Sequence, residues 1–251
     1  MKRNKIMAMI MTALISSSLI LGDVTTTYAA DSTVQAKTIV EGMTIEQKIG
    51  QMLMPDFRQW KMDGEDAVSD FTTMNEEVAQ IIDDFDLGGV ILFAQNVKTT
   101  EQTTKLTHDL QQVIAKDESN DLPLLITVDQ EGGIVTRLGT GTSLPGNMAL
   151  GATKSELSSY RAGSVIGKEL NSLGINVNFS HSLDVNNNPA NPVIGLRSFS
   201  SNADLVSKLG IQMINGIQEQ GVSGAAKHFP GHGDTATDSH YGLPVVDKSY
   251  D

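Results

Sequence analysis

The feature that most constrains this chain is a unit that recurs along it: apolar residues at helical spacing, followed by a short continuous apolar run. Val78, Ile81, Ile82 and Phe85 precede LGGVILF at 87–93, and Leu106, Leu110, Val113 and Ile114 precede LPLLITV at 122–128. Leu157, Val165, Ile166, Leu170 and Leu173 precede INVNF at 175–179, and Leu205, Val206, Leu209, Met213, Ile214 and Ile217 precede VSGAAKHF at 222–229. Apolar runs of this length fit strands covered on both faces, and the 3.6-residue repeat before each supplies a covering helix. Four helix-to-strand units in series specify a parallel α/β architecture. Capping-box spacing marks helix starts at Thr44–Gln47, Thr99–Gln102 and Thr153–Glu156, the first opening a helix with Ile45, Ile49, Met52 and Leu53 on one face.

A β/α barrel and a doubly wound sheet share this rhythm, and polar residues separate them. Gln95-Asn96, Asp129-Gln130-Glu131 and His181 to Asp184 each stand just after an expected strand, and Lys227-His228 stands at the end of one. Barrels draw active-site groups from many C-terminal strand ends around one mouth, whereas doubly wound sheets gather them at one switch point. The expectation is therefore a (β/α)8 TIM-type barrel. Counting Met52 to Phe57 as a possible first strand gives five or six strands, so the barrel reads as truncated after about six. The final LPVVDKSYD reads as the lead-in to another helix.

The first thirty residues read differently from the rest. Lys2, Arg3 and Lys5 precede an apolar run from Ile6 to Gly22, and small residues gather before Ala30, the pattern of a secretory signal peptide. A retained membrane anchor is the competing reading, because the run is nearly long enough to span. Cleavage fits the serine triplet at 16–18 and the small residues better. The expected organisation is a signal peptide at 1–30 and one barrel domain at 31–251, secreted or associated with the cell wall and without stable membrane insertion after cleavage. There is no cysteine, so neither a lipid-modified cysteine nor a disulfide is available. Without residues 1–30 the chain has 15 basic and 29 acidic residues, a net charge of −14. Nucleic acid is excluded as a partner by repulsion, and a neutral, carbohydrate-like ligand is easier to accommodate.

The segment KHFPGHGDTATDSH at 227–240 concentrates three histidines and two aspartates, in a chain with five histidines. His232 with Asp234, or Asp238 with His240, has the i, i+2 spacing of a metal-ligand pair, but no further cluster with ligand spacing accompanies it. A relay centred on Ser239 lacks the G-x-S-x-G elbow. A third reading is a proton-transfer dyad, in which Asp238 takes one ring N–H of His240 and leaves the other nitrogen for substrate. Gly231 and Gly233 would let such a loop close over a ligand. A fourth reading has His228 and His232 only satisfying backbone groups around the Pro230-Gly231 turn.

The segment resembles the signature of glycoside hydrolase family 3, in particular its bacterial β-N-acetylhexosaminidases. The resemblance extends through GGVILFAQN at 88–96, VDQEGGIVTRL at 128–138, NVNFSHSLDVNNNP at 176–189 and GLRSFS at 195–200, and covers the chain from about Met43. It implies a retaining hydrolase of terminal β-linked N-acetylglucosamine in cell-wall or related glycans, with no cofactor. By position, Asp129, Arg137, Arg197, Lys227 and His228 would grip the terminal sugar, and His240 paired with Asp238 would be the general acid/base. Without the resemblance, Arg137 and Arg197 would read as surface ion pairs. A histidine acid/base departs from the usual carboxylate pair, and because it repels an anion less, phosphorolysis is a minor alternative. The family's nucleophile is an aspartate on a later strand end, whereas only Asp247 and Asp251 follow the signature here, neither in that context. That departure leaves an inactive sugar-binding remnant as the competing expectation.

Overall fold

The computed structural model describes residues 32–61, 64, 66–115 and 122–246; the expected signal peptide, Asp247 and Asp251 lie outside the described residues. The chain divides into two units at Ile49. In the first, α1 (32–42) is followed by α2 (Ile45–Gly50), whose last residue opens the second unit. The Thr44 capping box forms as expected: Thr44 Oγ1 accepts from the Gln47 amide at 3.2 Å, and Gln47 Oε1 accepts from the Thr44 amide at 3.1 Å.

The second unit begins with an antiparallel pair, β1 (Gln59–Lys61) and β2 (Val68–Asp70), which the sequence pattern did not reveal. Helix–strand units follow: α3 (Glu76–Asp84) leads to β3 (Gly89–Leu92), and α4 (Thr100–Ile114) to β4 (Leu125–Val128). Next, α5 (Asn147–Thr153) and α6 (Glu156–Ser172) lead to β5 (Val177–Asn178). A single 3-10 turn (Gly195–Arg197) and α7 (Ala203–Gln218) then lead to β6 (Ser223–Gly224). The sheet order is β3-β4-β5-β6, all parallel, with Val90 opposite Ile126, Thr127 opposite Val177 and Val177 opposite Ser223. Asp56 bridges in parallel to Ile91, so the Met52–Phe57 segment joins the sheet as a stave reduced to one bridge. Five staves thus stand side by side in chain order, with no reversal of the kind that defines a doubly wound sheet. These are consecutive staves of a TIM-type barrel.

β5 is shorter than its apolar run because two asparagines take over the ladder. Asn176 Oδ1 accepts from the Ile126 amide at 2.8 Å, and Asn178 Oδ1 accepts from Gln130 at 3.0 Å, so side chains replace main-chain partners. β6 also shortens to two residues, although Lys227 still bridges Ser182. The expected third capping box is displaced: Thr153 ends α5, and Ser155 caps α6 by accepting from the Ser158 amide at 3.1 Å. α6 and α7 pack through small residues, and a Cβ on Gly163 would lie 2.2 Å from the Met213 carbonyl oxygen. The core gathers Val90, Leu92, Ile126 and Val128 from the strands with Leu106, Leu110, Ile166, Leu170, Leu209 and Ile217 from the helices, all essentially inaccessible. Burying each such side chain contributes about 1.5–3 kcal/mol.

Candidate active site

The strand ends bring the expected site residues together. Asp129 follows β4, Arg197 closes the 3-10 turn, and Lys227 and His228 follow β6. With Arg137 and His240 they line a cavity of about 430 Å³, whose apolar wall includes Phe179, Val135 and Val193. Asp238 stands behind His240 rather than on the cavity wall. The Lys227–His228 and Phe229–Pro230 peptide bonds are both cis.

The base of the site is a chain of alternating charges. Lys227 Nζ lies 2.7 Å from Asp129 Oδ1 and 2.8 Å from Glu131 Oε1. Arg197 clasps the same Glu131 with both prongs of its fork, Nε to Oε2 at 3.0 Å and Nη2 to Oε1 at 2.7 Å. Only 2% of the Glu131 side chain and 11% of the Arg197 side chain are exposed, so this is a buried pair and not the surface pair that the residue type suggests. Burial opposes the charged form of Glu131, but Arg197 and Lys227 outweigh it and hold the carboxyl below its ordinary pKa. Burial likewise opposes the Arg197 charge, and Glu131 more than compensates, so its pKa is raised. Arg137 takes another route: its backbone amide donates to Gln130 Oε1 at 2.8 Å, and its guanidinium lies 5.8 Å from the Phe93 ring centroid.

Beneath the cavity, the Asp184 carboxylate touches His228 Nδ1 at 2.6 Å and accepts from the His232 amide at 2.6 Å. Burial opposes its charge, yet the hydrogen bonds led by His228 lower its pKa. His181, at φ 106°, is buried with Nε2 unpartnered; desolvation pushes its pKa down to about 4, against the pull of Glu131.

The Asp238–His240 pair is built differently. Asp238 Oδ1 accepts from the His240 amide at 2.9 Å and lies 2.6 Å from its Nδ1, so Nε2 is turned away from the carboxylate. The His240 side chain is 73% exposed. The His240 amide and ring hydrogen bonds hold Asp238 below the ordinary carboxylate range. The His232 ring faces the hydroxyls of Thr235 and Ser239, and among the described residues no group of three or more His, Cys, Asp or Glu is arranged to hold an ion. His232 Nδ1 is turned to Thr235 Oγ1, so the place that the carboxylate of a serine relay would take is filled by a hydroxyl.

Sequence reasoning assigned no role to Glu131 or Asp184. Both stand in the polar clusters after strand ends, at 129–131 and 181–184, and that position is the signal that could have found them.

The chain matches the model of the glycosyl hydrolase family 3 N-terminal domain over residues 44–251. It is 48% identical over 218 residues to beta-hexosaminidase A of Pseudoalteromonas piscicida, covering 83% of this chain and 36% of that protein. A beta-hexosaminidase of Neisseria meningitidis is 36% identical over 184 residues, covering 70% of this chain and 49% of the relative. Among solved structures, a glycoside hydrolase family 3 beta-N-acetylglucosaminidase from a Paenibacillus species superposes with a TM-score of 0.74 at 46% identity, over 82% of this chain and 36% of that one. NagZ from Neisseria gonorrhoeae in complex with N-trifluoroacetyl-D-glucosamine gives 0.65 at 32% identity, over 76% and 53%. The chain spans between about a third and a half of the length of these relatives.

Proposed function

The chain belongs to glycosyl hydrolase family 3, and from that premise we propose that it removes terminal β-linked N-acetylhexosamine, N-acetylglucosamine foremost, from cell-wall or related glycans. The observation that carries the reading is the Asp238–His240 dyad, with His240 at the wall of a cavity whose Lys227 and Arg197 are already paired with carboxylates. Lys227 and Arg197 against Asp129 and Glu131 leave little net charge at the base, which favours a neutral, hydroxyl-rich ligand over an anion. Asp129 can accept from sugar hydroxyls, while Arg137, Arg197 and Lys227 donate to hydroxyl or acetamido oxygens.

In the proposed retaining reaction, His240 gives the proton on Nε2 to the departing glycosidic oxygen as the sugar C1 is attacked from the opposite face. The same nitrogen then takes a proton from the water that releases the sugar. Asp238 accepts the Nδ1 hydrogen throughout, orienting the ring and stabilising the imidazolium. The nucleophile is assigned to the family's aspartate on a later strand end, not to Asp129, which Lys227 engages. A signal peptide at 1–30, a secreted or wall-associated location and peptidoglycan fragments as substrate belong to the same proposal; the first two are supported by the Lys2–Ala30 pattern and the third by the family resemblance.

The test is release of p-nitrophenol from the β-N-acetylglucosaminide by the protein lacking residues 1–30 and carrying the later-strand aspartate, beside its His240→Ala variant, with N-acetylglucosamine binding by calorimetry on both. Turnover that falls by at least about a hundredfold in the variant is the expected result. Binding without turnover in either chain would replace the hydrolase with a sugar-binding remnant, and absence of both would overturn the reading.

A further inference from the structure

Asp184 contributes nothing to the cavity wall, yet both of its oxygens are committed. Its side chain is wholly buried. Oδ2 accepts from the His228 amide at 3.2 Å and from Ser182 Oγ at 3.0 Å, and lies 2.6 Å from His228 Nδ1. Oδ1 accepts from the His232 amide at 2.6 Å. We propose that Asp184 is a positioning residue of the sugar site: it fixes His228 in the tautomer that offers substrate an acceptor, and it tethers the loop that carries His240. The nature of the ligand rests on the hexosaminidase reading, whereas the tautomer does not.

Two neighbours select the same tautomer. An ionised carboxylate only accepts, so His228 Nδ1 carries the hydrogen. Across the ring, Nε2 faces Arg197 Nη2 at 3.5 Å, and a guanidinium only donates, so Nε2 keeps its lone pair. Nε2 of His228, which lines the cavity, thus has only a lone pair to offer, shared between Arg197 and an incoming sugar hydroxyl: it can take a hydrogen from that hydroxyl and cannot give one.

The second arm follows the same logic. Thr235 spends its hydroxyl hydrogen on the His232 carbonyl at 3.0 Å, so its oxygen accepts from His232 Nδ1. His232 Nε2 is then the acceptor for Ser239 Oγ at 3.3 Å, one residue before His240. A continuous run of bonds thus links the Asp184 carboxylate to the residue beside the proposed acid/base.

Imidazole nitrogen–hydrogen correlation spectra at neutral pH test this, with the five histidines assigned by single substitutions. The unaltered chain should show His228 and His232 protonated on Nδ1. In Asp184→Asn one acceptor becomes an NH2 donor, so His228 should shift towards the Nε2–H form while His240, held by Asp238, stays unchanged. Amide exchange over 231–240 should speed up, and N-acetylglucosamine binding should weaken about tenfold, the worth of one hydrogen bond. A variant in which neither the His228 tautomer nor the amide exchange over 231–240 changes overturns the proposal. So does an Nε2-protonated His228 in the unaltered chain, a result available even if the variant does not fold. Should the tautomers behave as expected while the unaltered chain binds no N-acetylglucosamine, the Asp184 assignment stands and the hexosaminidase reading fails.

Discussion

The strand-end network and the Asp238–His240 dyad line or back one cavity but are built on opposite plans. In the network, each group is held by a residue far away in sequence: Lys227 by Asp129 across 98 positions, Arg197 by Glu131 across 66 and His228 by Asp184 across 44. Its groups are mostly buried, so they are pinned before any ligand arrives. The dyad is made by residues two apart, with the His240 ring largely exposed. The difference separates two tasks: a sugar must be gripped in a fixed, dry frame, whereas a proton donor must approach the leaving oxygen and exchange with water.

The sharpest way to break this contrast is at the anion that both network cations share. Glu131→Ala leaves Arg197 without its fork partner in a buried setting, and removing one member of a buried pair costs about 3–5 kcal/mol. Urea denaturation should show that loss, and N-acetylglucosamine binding should disappear with it. A loss under about 1 kcal/mol would mean that the network is no more deeply built than the dyad.

This contrast also explains what the sequence made legible. Four helix-to-strand units were readable because apolar periodicity is local, and so was the Asp238–His240 spacing. Glu131 and Asp184 were visible only as polar residues near strand ends, because their meaning depends on Arg197 and His228 arriving from other staves. The short β5 was hidden for a related reason: Asn176 and Asn178 look like interruptions of an apolar run until their amides are seen replacing ladder bonds. The β1–β2 pair, three residues a side, offers too little alternation to read.

Acid should expose the same divide with a smaller effect. His181 is buried and neutral in the fold, with its pKa lowered to about 4, while in the unfolded chain it titrates near its ordinary 6.5. Between those values the unfolded state binds the extra proton, so stability is full above about 6.5 and is lost progressively as pH falls towards about 4. At pH 5 the loss is about 2 kcal/mol. His181→Asn, chosen because asparagine tolerates a positive φ, should flatten the urea midpoint between pH 7 and 5. A midpoint that falls as steeply in that variant would move the acid sensitivity away from the barrel interior.

The smallest expected effect on stability sharpens the comparison from the other side. His240→Ala removes a ring that is mostly in solvent and is bonded to Asp238 two residues away, so unfolding free energy should change by no more than about 0.5 kcal/mol. N-acetylglucosamine binding should survive, because the groups proposed to grip the sugar, Arg137 apart, stand in the separate, buried network. The measurement is the urea midpoint and slope of the variant beside the parent, with binding followed by calorimetry. A variant that loses stability on the scale of Glu131→Ala would show that the dyad's loop props up the strand ends. The bonds from Asp184 through His232 to Ser239 would then carry load in both directions, and the division between a rigid grip and an independent proton donor would not hold.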